Sequence, residues 1–406
     1  QMANYREIRA RRWKKRSNAA EADTPPSRDN SERAGSADYS GSDIKGIETI
    51  VGAVERSDQP WRQQADGRID QLRKAGLEIR VVDADGNPLA GIPVHVQQNR
   101  HAFRFGGVVS GRSMHAPAPG HKPRRISPER YKKMFLELGF NTVGFNSYLK
   151  YKRRPMSQPY LPALFAWFQE HDIPVRGHCL IWPGGSFGNF MPPELSEMVY
   201  VPDPSINWSS LAKGVPRDNL TPSAKQAVRD LCQKMIEEAS RQWPVFEWDV
   251  INETRDNHIV QDLVGKDVIV DWFQVARRNT RHRNALLYLN ENKVISDPAF
   301  GDVTENMKRF ENEVRYLLDN GAPLSALGFQ SRFAKKTRPE TIYKRLQYFE
   351  KFNLPIAATE VEMKNTIGDE LERAAMTERV LTVLFSHRLV NGVYAWSILA
   401  QDHGSS

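Results

Sequence analysis

Val245-Phe-Glu-Trp-Asp-Val-Ile-Asn-Glu253 is an apolar run that ends abruptly in an amide and a carboxylate. Before it, Val228, Leu231, Cys232 and Met235 recur at helical spacing. After it, Ile269, Trp272, Phe273 and Ala276 do the same, and a second apolar run then opens at Leu286. Apolar residues at i, i+3, i+4 and i+7 mark an amphipathic helix, and a short apolar run between turn signals marks a buried strand. The unit is therefore helix, strand, helix, strand.

Working outward, the same alternation runs from Phe103 almost to the end of the chain. Strand candidates fall at Phe103 to Val109, Thr142 to Asn146, Val175 to Trp182, Val245 to Glu253, Leu286 to Asn290, Leu327 to Phe333, Ile356 to Glu360 and Gly392 to Ile398. Ser127-Pro128 and Thr221-Pro222 supply a cap followed by proline at the first helical position. Eight βα alternations imply parallel strands with right-handed crossovers, and eight strands close into a (β/α)8 TIM barrel. An open doubly wound sheet is the lesser alternative. Phe105-Gly-Gly-Val lacks the spacing of a dinucleotide fingerprint, so no cofactor is expected.

The chain divides into residues 1–60, a basic arm and low-complexity linker expected to be disordered; 61–102, a helix and a small β-hairpin appendage; and the barrel, 103–406. The hairpin is read from Leu77-Glu-Ile-Arg-Val-Val and Ile92-Pro-Val-His-Val flanking Asp83-Ala-Asp-Gly-Asn-Pro. About eight residues follow the last strand candidate, fewer than a closing helix needs. Either the chain is cut there, or the helical stretch Trp61 to Lys74 covers that seam.

The 406 residues carry a formal charge of +8, but seven basic residues against one acid between Arg6 and Arg16 account for most of it. The body of the chain therefore has no polyelectrolyte character, and nucleic acid is not an expected partner. No run of 18 apolar residues exists, so no membrane partner is expected either. Cys179 and Cys232 read as two inert thiols, and His101, His115, His121 and His258 lack metal-ligand spacing. The N-terminus lacks the apolar core of a signal peptide, and the start at Gln1 suggests processing or an artificial boundary.

Barrel chemistry sits at the C-terminal strand ends. Those ends hold Asn252-Glu253, Glu360, Arg176-Gly-His178 with Trp182, Gln330, and Trp396. Two carboxylates on distant strands, ringed by aromatics and amides, suit glycosidic cleavage: one protonates the leaving oxygen while the other attacks the anomeric carbon. Aromatic rings stack on sugar faces, and amides and histidine bind hydroxyls.

The runs Arg176-Gly-His-Cys-Leu-Ile-Trp, Trp248-Asp-Val-Ile-Asn-Glu, Leu289-Asn-Glu-Asn, Leu327-Gly-Phe-Gln and Thr359-Glu-Val-Glu resemble the strand-end motifs of glycoside hydrolase family 10, the endo-β-1,4-xylanase family. The resemblance extends from about Phe103 to Ile398. It implies a retaining endo-β-glycanase, secreted or periplasmic, whose partner is a polysaccharide, xylan or a related β-glycan. Glu253 would be the acid/base and Glu360 the nucleophile, about 5 to 5.5 Å apart. Asn252 would bind the 2-hydroxyl, His178, Gln330, Trp182 and Trp396 would line the same subsite, and Lys150 would serve the next.

Asn146-Ser147 stands where the family has Glu-Asn, Tyr151 where it has Trp, Pro183 where a histidine often follows, and Arg332 where it has His. Asn146 and Arg332 thus enter the substrate groove as altered residues, Arg332 either pairing with a glutamate or touching substrate. The long stretch from Gly184 to Asn219, with Phe187, Phe190, Tyr200 and Trp208, is read as a cleft wall. A barrel that binds polysaccharide with little hydrolysis is the alternative to the enzyme. A nucleic-acid role for the Arg6 to Arg16 arm ranks third.

Overall fold

The computed structural model describes residues 59–117, 125–184, 191–202 and 214–399, all within one unit spanning Val51–Ser406. Eight parallel strands form a closed barrel: β1 (Arg104–Val109), β2 (Thr142–Phe145), β3 (Val175–Gly177), β4 (Glu247–Asn252), β5 (Leu286–Asn292), β6 (Ala326–Phe333), β7 (Ile356–Met363) and β8 (Val390–Trp396). Each strand neighbours its predecessor and β8 pairs with β1, which is the (β/α)8 topology. The main helices are α1 (Pro60–Arg73), α2 (Pro128–Glu137), α3 (Leu161–Glu170), α4 (Pro222–Gln242), α5 (Val268–Asn279), α6 (Glu305–Asp319), α7 (Pro339–Tyr348) and α8 (Glu370–Ser386).

Local chemistry sets the helix starts. Ser127, Thr221 and Thr304 each accept a backbone N–H of the first turn of α2, α4 and α6, and Asp369 with Glu372 completes a capping box on α8. The main apolar core lies between strands and helices and includes Trp248, Trp272, Phe273, Phe310 and Phe329. A second, small cluster of Val108, Tyr288, Ala326, Ala357 and Tyr394 fills the barrel interior. Gly106 is required there, since a Cβ on it would fall 2.3 Å from Tyr394 Cδ1. The glycines after Phe105 thus serve ring packing.

The hairpin expected over 77–96 is present at its turn, where Asp83 N donates to Asn87 O and Leu89 N to Val81 O, both at 2.9 Å. Only a single antiparallel bridge forms, Val82 to Pro88, around a turn in which Asp83 accepts from Asp85 and Asn87 N–H. The turn chemistry was legible, but Leu77, Ile79, Ile92, Val94 and Val96 are all exposed, so neither flank gains the buried face that holds a strand. The arm and linker expectations fall on residues 1–58, outside the described residues, as do His121, Phe187, Phe190, Trp208 and everything after Leu399.

Helix α1 lies on α8. Trp61 and Ala65 are buried, Arg62 pairs with Glu378, and Arg68 stacks over Tyr343 at 3.8 Å. Arg73 donates to the carbonyls of Phe385 (2.8 Å), His387 (2.8 Å) and Val390 (2.7 Å), tying the end of α8 to the start of β8. Cations that satisfy the last carbonyls of a helix stabilise it. Deleting residues 1–76 is expected to lower the melting temperature by several degrees in calorimetry. An unchanged value would mean that α1 contributes nothing to the barrel.

Candidate active site

The floor of the barrel carries charge. Fully buried Glu247 accepts from Arg104 Nη1 (2.5 Å), Tyr288 Oη (2.8 Å) and Tyr394 Oη, and lies 3.3 Å from Arg176 Nε. One layer up, Arg176 forks onto Asp249, with Nη1 to Oδ2 at 2.6 Å and Nη2 to Oδ1. Asp249 Oδ2 is in turn 2.7 Å from His178 Nδ1, and the His178 ring stands edge-on to Trp396 at 6.2 Å. Burial alone would raise the Asp249 carboxyl, but the Arg176 fork holds it below the usual range. Burial, with Lys150 nearby, pushes His178 down to about 4. The imidazole is thus neutral, its Nδ1–H is committed to Asp249, and Nε2 is left as an acceptor.

Above this ladder β4 and β7 are irregular. On β4, Asp249 and Ile251 oppose the adjacent residues Tyr288 and Leu289 of β5; on β7, Thr359 and Glu362 oppose Gln330 and Arg332 of β6. Such bulges beside a site re-aim the side chains that follow. Glu253, just past β4, has φ 59°, and Glu360, in the β7 irregularity, has φ 57°. Left-handed backbone is costly for a non-glycine residue and persists only where its surroundings enforce it. Both glutamates are held this way.

An amide relay orients the first of them. Thr359 Oγ1 donates to Asn290 Oδ1 (2.7 Å), Asn290 Nδ2 to Asn252 Oδ1 (2.9 Å), and Gln330 Nε2 to both Asn252 Oδ1 (3.2 Å) and Glu253 Oε1 (2.9 Å). Asn257 Nδ2 donates to Glu253 Oε2 at 3.1 Å. With its oxygen committed twice, Asn252 is left with a buried Nδ2 that has no hydrogen-bond partner among the described residues. A buried donor in that state is costly unless a ligand fills it.

Glu360 is 5% exposed. Arg332 Nη1 is 3.8 Å from its Oε2, whereas Arg332 Nε is 2.6 Å from Glu362 Oε2 and the guanidinium stacks over Trp396 at 5.4 Å. Arg332 is thus the ion-pair partner of a glutamate, and the close partner is Glu362. Burial, reinforced by the charge of Glu253, pushes Glu360 up to about 8, against the pull of Arg332 and Lys150. Burial also raises Glu253, against the Gln330 hydrogen bond. Lys150 is buried with its Nζ 4.7 Å over the Trp182 ring. Burial lowers it, while Cys179 and the two glutamates oppose. Asn146 follows β2 and accepts from Ser147 Oγ at 3.1 Å. The two cysteines are free and buried, each pushed up to about 12 by burial.

Glu291 was quoted within a motif but assigned nothing. It is buried, pushed up to about 8 by that burial, and accepts from Arg255 N (2.9 Å), Asn292 N (2.8 Å) and Thr254 Oγ1 (3.3 Å). It therefore anchors the loop that leaves Glu253. Its signal was a carboxylate two residues past a buried leucine at a strand end. Asp249 and Arg176 carry no assignment from the sequence either, although they fall within the same motifs as Asn252 and His178.

The sequence profile of Glycosyl hydrolase family 10 matches residues 160–403. Among curated proteins the chain is 24% identical over 348 residues to anti-sigma-I factor RsgI6 of Acetivibrio thermocellus, covering 84% of this chain and 39% of that protein. It is also 24% identical over 332 residues to endo-1,4-beta-xylanase 1 of Arabidopsis thaliana, covering 80% and 30%. The chain thus spans well under two thirds of the length of these relatives. Among solved structures, xylanase 10B from Thermotoga petrophila RKU-1 in complex with xylobiose superposes with a TM-score of 0.54 at 16% identity, covering 73% of this chain and 82% of that one. Native xylanase 10B from Thermotoga maritima gives 0.55 at 16%, covering 73% and 83%. At such identity these structures speak to the fold. The profile covers more than half of the chain, including both strand-end glutamates, and on that ground the chain belongs to glycosyl hydrolase family 10.

Proposed function

We propose that the protein is a retaining endo-β-glycanase acting on xylan or a related β-glycan by double displacement. The observation that carries this reading is the pair Glu253 and Glu360, the first partly buried just past β4 and the second buried on β7, both raised by desolvation and both on left-handed backbone. A barrel needing only to hold a glycan gains nothing from two desolvated, strained carboxyls.

In the proposed reaction Glu253 enters protonated and Glu360 ionised. Glu360 attacks the anomeric carbon as Glu253 gives its proton to the departing glycosidic oxygen, leaving a covalent glycosyl-enzyme. Glu253, now a carboxylate, takes a proton from water as that water displaces Glu360. Gln330 fixes the acid, Asn252 Nδ2 offers its unfilled donor to the 2-hydroxyl, and His178 Nε2 accepts from a neighbouring hydroxyl. Trp182 and Trp396 pack on sugar faces, and Lys150 stabilises the one negative charge that the pair carries. Asn146 borders the groove at the end of β2.

One feature favours the second reading, a barrel that binds polysaccharide with little turnover: burial and the neighbouring Glu253 push the Glu360 carboxyl up to about 8, against the ionised form that a nucleophile needs. A reducing-end assay over xylans, mixed-linkage glucans and mannans separates the two. Cleavage of at least one xylan is expected, decorated polymer before plain, and no release from any polymer would leave the binding reading. The pH profile carries the sign of the shift. kcat/KM reports the free enzyme, and the nucleophile must be ionised, so activity falls as pH drops through the pKa of Glu360. The acid limb is expected well above the ordinary carboxylate range, and Arg332→Met, which removes an opposing cation, should move it higher still. A limb near pH 4, about the ordinary glutamate value, would contradict this.

A further inference from the structure

The mouth of the barrel carries cations beyond those used above. Arg112 lies in the 3-10 turn Gly111–Met114 that follows β1, and Arg153 in the turn Tyr151–Arg153 that follows Lys150 after β2. Both turns leave the C-terminal ends of their strands, the same end as Glu253 and Glu360. The charges form a connected row. Lys150 lies within electrostatic reach of Glu360, Glu253 and Arg153, and Arg153 within reach of Arg112.

Neither guanidinium is matched by an anion among the described residues. Arg112 Nη2 donates to Met156 Sδ at 2.8 Å, a poor acceptor for a cation, and the buried Nε of Arg153 has no hydrogen-bond partner. Arg154, next in sequence, shows the contrast: its Nη1 is 2.5 Å from Glu238. The end of β2 adds no counter-charge, because Asn146 and Ser147 are neutral and bonded to each other. The two guanidiniums stand in turns that follow neighbouring strands, near enough for the charge of Arg112 to lower the pKa of Arg153, which is half-buried with a donor unfilled among the described residues. Planar guanidinium forks match a carboxylate.

We propose that Arg112 and Arg153 form a subsite for the carboxylate of a uronyl sugar, so that the groove beyond Lys150 receives an acid-bearing β-glycan. The inference rests on the glycanase reading and names its substrate class.

The test compares native 4-O-methylglucuronoxylan with the same polymer after carbodiimide activation and borohydride reduction, which converts each uronyl carboxyl to a primary alcohol. The wild-type protein is expected to show a kcat/KM about fivefold or more higher on the native polymer, as befits a partly exposed charged contact. Arg112→Met/Arg153→Met should bring that ratio close to one. Arg112→Met alone, at an exposed position that leaves the packing intact, should remove part of it. Equal rates by wild type on the two polymers, or a ratio unmoved in both variants, overturns the subsite. If neither polymer is cut, the glycanase reading fails, and affinity electrophoresis in gels of the same two polymers decides the subsite by itself. Stronger retardation by the native polymer, lost in the variants, upholds it; equal retardation by both polymers overturns it.

Discussion

Glu360→Gln is expected to abolish turnover on every glycan, by on the order of 10⁴-fold or more, because the amide cannot form the glycosyl ester through which the reaction runs. Glu253→Ala should behave differently. It removes proton transfer alone, worth roughly 10²- to 10⁴-fold, so an aryl glycoside with a good leaving group still forms the glycosyl-enzyme. Deglycosylation then stalls for want of a base, and azide, which needs none, should accelerate it. The azide product is expected to keep the anomeric configuration, since azide enters from the face that the Glu253 carboxylate vacated. Product analysis by NMR checks this. Equal loss in both variants without azide rescue, or an inverted product from wild type, would remove the retaining mechanism and favour the binding barrel.

The second large effect is on stability. Glu247→Ala is expected to cost about 3 to 5 kcal/mol in urea unfolding, because it leaves buried charge without its partner. Arg104 and Arg176 both approach Glu247, and Tyr288 and Tyr394 both donate to it. Glu247→Gln keeps an acceptor for the two hydroxyls and should cost less. Loss of Glu247 should also reach the mouth, since Arg176 spans Glu247 and Asp249 and Asp249 holds His178. A drop in stability below about 1 kcal/mol, the range of exposed pairs, would show that the floor charges are solvated and not coupled.

That ladder is also where the sequence stops being readable. The eight strands were legible because their outward faces are continuously apolar, as in Val143, Phe145, Val250 and Phe329. Strand-end polarity singles out Glu253, Asn252, His178, Gln330 and Glu360 as candidates from the sequence alone. Arg104, Glu247 and Tyr394 carry no such sign. Each is a polar residue in a strand, which by periodicity alone reads as a solvent-facing position, and their pairing spans 143 residues between Arg104 and Glu247. The partner of Arg332 was hidden for a different reason. The irregularity of β7 sets Glu362 opposite Arg332, and a bulge is a property of two strands together. The short pairing around Asp83 to Asn87 teaches the converse: alternation beside a good turn extends into strands only when one face finds something to cover it.

The positive φ of Glu253 and Glu360 has a consequence for how such a chain drifts under mutation. Each position combines a desolvated carboxyl with a backbone well that suits asparagine or glycine better than glutamate, so replacing either residue by glycine or asparagine relieves two costs at once. Loss of chemistry is therefore downhill in folding free energy, while the amide relay, His178 and the aromatic rims stay in place to hold a sugar. On the glycanase reading, the fold sits one substitution from a thermally hardier receptor for its polymer, and folding stability by itself would not keep these two glutamates where they are.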